Sequence, residues 1–528
     1  MKYKKYKNKY ITIKNQYGGT VARTESTLRV ADDKTIDKDY KKLDELDELE
    51  KIDNITELTF SYNTIDNDGA AKIAEFIKKL TTLQKFEFLK NTIKDKVIQI
   101  IAASLKTLQT LEKLETLNII EYNMTNENII ALCDSFEKMT GLKSLLIRCN
   151  TIDNKGANAL AEGFKNLRNL TSLNLEYTKF DSESANALVE GFKNLRNLTS
   201  LNLNSTNFGG GVIALANSFR YMPNLSGVSA LANSFQHMPN LTNLDFSSND
   251  VGNKGVSALA NSFQHMPNLT KLNLSYNKFG NRGASALATG FTNLSELQIL
   301  NLSYNKFGNR GASALANSFQ HITKLRHLYL SYNNIGNRGA SELANSFNNI
   351  PKLQELNFNG NYIGNRGASA LAKSFTHLTQ LISLELNRNT IRNKGAIELV
   401  NSLQHNPLYS IELRDNKIGD AGALSVVNIV LSTITTIKIL DLSNNYISNE
   451  SQDTLTSINA EKNKLKSSFN QHTLRLNNQK KQTFICIPNV NGKYDTMCEE
   501  SEESEESEES EESEESEESE EITNYFQA

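Results

Sequence analysis

Six asparagines, Asn249, Asn277, Asn305, Asn333, Asn361 and Asn389, stand 28 residues apart, and each closes a segment of the form LxxLxLxxN. A fixed period of this length admits few folds, because each unit is a small element that buries its apolar side only by stacking on copies of itself. In one unit Leu272 and Leu274, separated by polar residues, have the alternation of a half-buried strand. Ala284, Leu287, Ala288 and Phe291 then follow the i, i+3, i+4, i+7 spacing of an amphipathic helix. One strand and one helix per unit require parallel strands joined by right-handed crossovers. Strands sit ~4.8 Å apart and packed helices ~8–10 Å apart, so stacked units curve with the sheet on the inside.

The full pattern, LxxLxLxxNxIxxxGAxxLAxxF, resembles the ribonuclease-inhibitor-like subfamily of leucine-rich-repeat proteins, found also in nucleotide-binding leucine-rich-repeat receptors and in Ran GTPase-activating protein. The resemblance runs over roughly residues 52–462. It implies an α/β leucine-rich-repeat solenoid, a horseshoe with a parallel concave sheet and convex helices. The asparagine ladder then has fourteen positions: Asn63, Asn91, Asn123, Asn150, Thr178, Thr206, Asn249, Asn277, Asn305, Asn333, Asn361, Asn389, Asn416 and Asn445. Their side chains are expected to satisfy buried backbone groups where each strand turns away, a structural task.

One interval breaks the period. Thr206 to Asn249 spans 43 residues, and residues 227–242 repeat residues 255–270 without a change. This reads as a tandem duplication near 212–242 that lost its strand and left an extra helix, Val228 to Phe235. Before the repeats, residues 1–51 form a separate region in which Asp37 to Lys51 reads as a charged helix capping the first unit. Residues 463–498 read as a linker. Residues 499–521 carry sixteen Glu and seven Ser, mostly as SEE triplets, so the 499–528 tail is expected to be disordered. The formal net charge is −3, which leaves the rest of the chain at +13 once those sixteen carboxylates are set aside. The seven serines lie in a setting that suits an acid-directed kinase.

No apolar stretch approaches the ~20 residues that span a bilayer, and the basic N-terminus leads into no hydrophobic segment. Cys133, Cys149, Cys486 and Cys498 have no metal or disulfide spacing and suggest a reducing compartment. Sequons at Asn169, Asn197, Asn240, Asn268 and Asn301 fall at structural positions of the repeat. A cytoplasmic location suits both observations, and a bacterial protein delivered into a host cytosol meets the same constraint.

Counting from the ladder locates surface positions. On the concave face stand Thr59, Glu87, Ile119, Leu146, Asn174, Asn202, Asp245, Asn273, Asn301, Tyr329, Asn357, Glu385, Glu412 and Asp441, acidic toward the end. Immediately before the ladder come Tyr62, Tyr122, Tyr177, Tyr276, Tyr304, Tyr332 and Arg388, and the last three tyrosines are expected to stack. Lys155, Lys254, Arg282, Arg310, Arg338, Arg366 and Lys394 share one position in the loop opening each helix. Tyr and Arg are the residues most enriched at interface hot spots. The candidate partner-binding residues are therefore Tyr276, Tyr304, Tyr332, Arg282, Arg310, Arg338, Arg366, Arg388 and Lys394. An acidic protein, or the chain's own Glu tail, suits this charge; nucleic acid suits it less, because the strip is narrow.

Catalytic patterns are absent. Five of the seven histidines, His237, His265, His321, His377 and His405, occupy one copied position, and Gly280 to Gly283 lack the Lys-Ser/Thr of a phosphate cradle. Neither a cofactor nor a metal is expected. Two functions remain: a non-catalytic scaffold binding a protein through the concave face and rim, and, by resemblance to Ran GTPase-activating protein with its acidic tail, an activator of a Ran-like small GTPase.

Overall fold

The computed structural model describes residues 55–464, apart from 95, 109, 122–123, 150, 181, 207–230 and 233, together with the backbone of 11–14, 19–23 and 27–32 and the segment 473–476. The chain divides into two units, residues 1–480 and 481–528, and everything described lies in the first.

The fold is a leucine-rich-repeat solenoid built on one 18-stranded sheet. From Glu57–Ser61 through to Thr473–Arg475, each strand pairs in parallel with the strand of the next unit. The middle strands are only three residues long, and their central leucines are buried while the flanking positions are not fully covered. One face is thus packed and the other open, as alternation in the sequence dictates. The register places like on like: Leu272 pairs with Leu300 and Leu300 with Leu328. Where the helices of neighbouring units are both described, from Asn67–Lys78 to Ser182–Phe192 and from Gly252–Ser262 to Asn449–Lys464, each packs on the next. Buried leucines of the strands, the Ala-Leu faces of the helices and stacked phenylalanines such as Phe263 and Phe291, 6.2 Å apart, form one continuous core.

At the start, Ile11–Lys14, Gly19–Arg23 and Thr27–Asp32 form an antiparallel meander, and the last of these pairs in parallel with Glu57–Ser61. A strand therefore covers the edge of the first repeat. The capping helix expected at Asp37 to Lys51 and the acidic tail lie outside the described residues; of the linker expected at 463–498, residues 463–464 end the helix Asn449–Lys464, Thr473–Arg475 form a strand paired with Ile439–Asp441, and 465–472 and 477–498 lie outside the described residues.

The asparagine ladder joins the units from within. Asn277 receives the backbone N–H of Asn249 on its Oδ1 at 3.1 Å and donates through Nδ2 to the carbonyl of Phe246 at 2.8 Å. Asn305 and Asn333 repeat both contacts one unit on. Each amide thus satisfies a donor and an acceptor that the turning strand leaves inside the core. At the third unit a different residue takes the role. Glu121, fully buried, accepts both the backbone N–H and the side-chain Nδ2 of Asn91, each at 2.9 Å. In the fourth unit the backbone N–H of Cys149 donates to Thr178 Oγ1 at 3.2 Å. Asn123 and Asn150, expected at these two places, lie outside the described residues.

The 43-residue interval does not interrupt the sheet, since Ser200–Asn202 pairs directly with Asn243–Asp245. The ladder also closes across it, because Thr206 donates through its backbone N–H and its hydroxyl to Asn249 Oδ1, at 3.1 and 2.9 Å. Of the extra helix expected at Val228 to Phe235, Leu231 and Ala232 are helical and buried and a 3-10 turn spans Phe235–His237; residues 207–230 and 233 are not described.

A second asparagine series, not anticipated from the sequence, caps the helices across units. Asn337 Oδ1 accepts the N–H groups of Gly364 and Gly367 at 2.8 and 2.9 Å, which open the next unit's helix, Asn365–Ser374. Asn253, Asn309 and Asn365 do the same for Gly280 and Gly283, Gly336 and Gly339, and Arg392 and Gly395. The glycines permit this approach: a Cβ on Gly367 would lie 3.0 Å from the Asn337 oxygen and 2.9 Å from Ile363. The Gly280–Gly283 segment, which lacks the residues of a phosphate cradle, is thus the landing site of a neighbour's cap.

Candidate interaction rim

Where each strand ends, the chain bends outward so that the ladder residue can point inward. The residue just before the ladder makes that bend with φ between 54° and 64°, in Tyr62, Tyr177, Tyr276, Tyr304, Tyr332, Gly360 and Arg388 among others. Glycine, asparagine and aspartate suit this left-handed region; a bulky side chain there costs roughly 1–3 kcal/mol. Tyrosine occupies it at five described units.

The consequence is a stack. Strand neighbours ~4.8 Å apart hold the Tyr276, Tyr304 and Tyr332 rings face to face, with centroids 4.0 and 4.3 Å apart and planes within 11° and 17°. Burial first, then its neighbour Tyr276, raises the Tyr304 phenol above the ordinary tyrosine value. At one end the Tyr332 ring lies against Gly360, where a Cβ would sit 2.3 Å from a ring carbon. Arg388, one unit further, donates from Nη1 to the Tyr332 oxygen at 2.8 Å and keeps its Nε 3.7 Å from the Asp415 carboxylate. At the other end the preceding rim residue is Ser248, too small to stack. Elsewhere on the rim the Arg148 guanidinium covers the Tyr177 ring at 4.0 Å and the Lys90 ammonium lies 5.7 Å from the Tyr62 ring centre. Tyr122 lies outside the described residues.

The structure therefore joins Tyr276, Tyr304, Tyr332 and Arg388 into one continuous surface feature. Gly360 and Asp415, which shape its end, were missed from sequence, although Gly360 stood out as the one glycine in the rim column. Arg282, Arg310, Arg338, Arg366 and Lys394 occupy equivalent exposed places, each in the first turn of its helix. None of these five helices carries an acidic residue in that turn. A cation there opposes the helix macrodipole by ~0.3–1 kcal/mol, so helix stability does not account for the series.

The open face of the sheet shows one correction. The strand partner of Glu87 and Leu146 is Asn118, and Ile119 is buried in the core. Counting back from Asn123 displaced that unit by one residue, and a slip of one turns a strand position to the opposite face. Further along, Asn357, Glu385, Glu412 and Asp441 follow in register. Burial, followed by the charge of Glu412, raises the Glu385 carboxyl above the usual range, while Asn359 donates to it at 2.7 Å.

His237, His265, His321 and His377 each end a 3-10 turn after a helix. Cys133 and Cys149 are buried and unbridged, and burial pushes the Cys149 thiol up to about 12, so neither is a ready nucleophile. Among the described residues no group of three or more His, Cys, Asp or Glu is placed to hold a metal ion. No helix there is long and apolar enough to cross a membrane.

Seven segments, residues 53–74, 237–260, 265–288, 294–316, 321–344, 349–372 and 404–427, match the Leucine Rich repeat family model. No curated protein matches the chain in sequence. Among solved structures, the chain is similar to an internalin from Listeria monocytogenes at 20% identity and a TM-score of 0.42, covering 78% of this chain and 86% of that one. It is also similar to a leucine-rich-repeat protein of Leptospira interrogans at 18% identity and a TM-score of 0.45, covering 80% and 98%. A third similarity is to the mouse RP105/MD-1 complex, at 17% identity and a TM-score of 0.38, covering 80% and 79%.

Proposed function

We propose that this chain, built of leucine-rich repeats, is a non-catalytic scaffold that binds a protein partner through the rim centred on Tyr276, Tyr304, Tyr332 and Arg388. The basic series Arg282, Arg310, Arg338, Arg366 and Lys394 extends that surface and gives it a preference for acidic partners. The observation that carries this reading is the tyrosine stack at left-handed backbone positions. Three aromatic side chains sit where glycine or asparagine would relieve ~1–3 kcal/mol of strain each, whereas two stacked pairs return only ~0.5–1.5 kcal/mol each. Folding alone favours another residue there; recognition favours tyrosine. Placing a photo-crosslinking phenylalanine analogue at Tyr304 and, separately, at the exposed helix position Ser285 tests it. Adducts with a protein from Tyr304 and not from Ser285 support the reading, and the reverse pattern opposes it.

The resemblance to Ran GTPase-activating protein gives one specific partner to try. GTP hydrolysis by Ran with and without this chain is the assay: acceleration by ~10³–10⁵ would make the chain an activator, and an unchanged rate leaves the scaffold.

A further inference from the structure

We propose that the outer face of Tyr276, at the free end of the tyrosine stack, receives one arginine side chain of the protein partner, its guanidinium lying flat on the ring beside Asp245. The inference rests on the rim being a binding surface and names the chemistry that one end of it takes.

A stack of rings has two outer faces. At the Tyr332 end the ring lies against Gly360 and its oxygen accepts from Arg388, so that end is closed. At the Tyr276 end the preceding rim residues are Ser248 and, beyond it, Ser205, with the same left-handed φ of 57° and 55° and no ring to continue the column. Tyr276 is accordingly 48% exposed, although Tyr304 covers its other face at 4.0 Å. Adjacent strands hold rim residues ~4.8 Å apart, so a serine in place of a ring leaves room for one flat group.

The chain itself shows which group suits such a face. At Tyr177 the Arg148 guanidinium lies 4.0 Å from the ring centre, and its Nη1 is 3.7 Å from the Glu176 carboxylate. Arg148 is three residues past Leu145, whose strand partner Leu173 is four residues before Tyr177. Ser247 has the same relation to Tyr276 through the paired Leu244 and Leu272, so a serine stands where the cation stands in the earlier unit. An anion is already in place there. Asp245 Oδ1 accepts from the Ser247 backbone N–H at 3.0 Å and from its hydroxyl at 2.6 Å, and Oδ2 accepts from Asn273 at 3.0 Å. All three donors are neutral groups.

This combination selects among side chains. An aromatic face attracts a cation, and a carboxylate beside it adds a second attraction. A neutral ring would stack on Tyr276 and gain nothing from Asp245. An ammonium would gain from Asp245 and lacks a flat face, whereas a guanidinium is planar, always charged and weakly hydrated.

The test uses a single arginine as probe. 3-Fluorotyrosine is placed at Tyr276 of the full chain and, in a second sample, at Tyr304, both of whose faces are covered. The fluorine resonance is followed as N-acetylarginine amide is added at constant ionic strength; N-acetylcitrulline amide, of like shape without the charge, and phenol, a free ring, are added separately. The proposal expects a saturable shift at Tyr276, with a dissociation constant on the order of tens of millimolar, and an affinity at least about threefold above that of either control. Asp245→Asn weakens arginine binding by about twofold or more, and Ser248→Tyr, which continues the column with a fourth ring, abolishes it. Circular dichroism checks that both variants are folded. No saturable shift at Tyr276, an equal response at Tyr304, equal binding of citrulline or phenol, or unchanged arginine binding by either folded variant would overturn it. Because the probe contacts this face alone, such a result removes the arginine site and leaves the protein-binding reading of the rim, which crosslinking at Tyr304 tests separately.

Discussion

Arg388 donates a 2.8 Å hydrogen bond to the phenol of Tyr332, 56 residues away in sequence, and reaches it over the unit whose rim residue is Gly360. The aromatic stack thus ends in a cation held in place on one side by the phenol and on the other by Asp415. Gly360 is the residue that makes the contact possible, for two reasons: its φ of 64° and the absence of a Cβ that the Tyr332 ring would strike.

Gly360→Ala is expected to displace the Tyr332 ring and separate Arg388 from it, and to destabilise the local unit by about 1 kcal/mol or more through the left-handed backbone. Near-ultraviolet circular dichroism, which reports ordered tyrosines, should change, while the far-ultraviolet spectrum stays that of wild type. An unchanged near-ultraviolet spectrum would show that the stack does not depend on the glycine.

Tyr304→Asn separates structure from recognition. Asparagine tolerates the positive φ, so the relief of strain and the loss of two stacking contacts nearly cancel, and stability should move by no more than about 1 kcal/mol. A midpoint of thermal unfolding shifted far below wild type would mean that the stack is principally structural.

Glu121 gives the pH dependence. Its carboxyl is fully buried and burial raises it to about 8, although Asn91 donates two hydrogen bonds that favour the charged form. The unfolded chain has an ordinary carboxyl near 4.5. Between these values the folded state binds the extra proton, so its stabilisation is complete below about 4.5 and is lost as pH rises toward 8, at roughly 1.4 kcal/mol per pH unit at most. Glu121→Gln keeps an oxygen for Asn91 and carries no charge. Unfolding midpoints measured from pH 5 to 8.5 should fall with pH in wild type and fall less in the variant; parallel curves would remove Glu121 as the cause.

Asn337→Ala should weaken the neighbouring helix more than its own, because the cap it provides goes to Gly364 and Gly367. Loss of a helix cap costs ~0.5–2 kcal/mol. Hydrogen exchange of those two amides should accelerate, and exchange limited to residues 337–345 would contradict the cross-unit assignment.

The repeating unit was legible because Leu272, Leu274, Asn277, Ala284 and Leu287 each obey a simple periodicity, and so was the tyrosine stack, since 28-residue spacing puts Tyr276, Tyr304 and Tyr332 on adjacent strands. Glu121 was hidden because Asn123 fits the consensus better by residue type, whereas the strand register through Asn118 brings the carboxylate of Glu121 to Asn91. The same displacement sent Ile119 to the wrong face. The cross-unit caps escaped notice because Asn253 and Gly280 are 27 residues apart, and no local rule of helix capping looks that far. The link from Arg388 to Tyr332 skips a unit and depends on a missing side chain, which a pattern of residues present does not reveal.

The central claim, that the tyrosine rim is a binding surface, is tested most directly by affinity. The protein crosslinked through position 304 is purified and titrated against wild type and against a Tyr276→Asn, Tyr304→Asn, Tyr332→Asn triple variant with a wild-type far-ultraviolet spectrum. Hot-spot tyrosines contribute ~2 kcal/mol or more each, so the account predicts a loss of affinity of at least about thirtyfold. Equal affinity for the two folded proteins would contradict it.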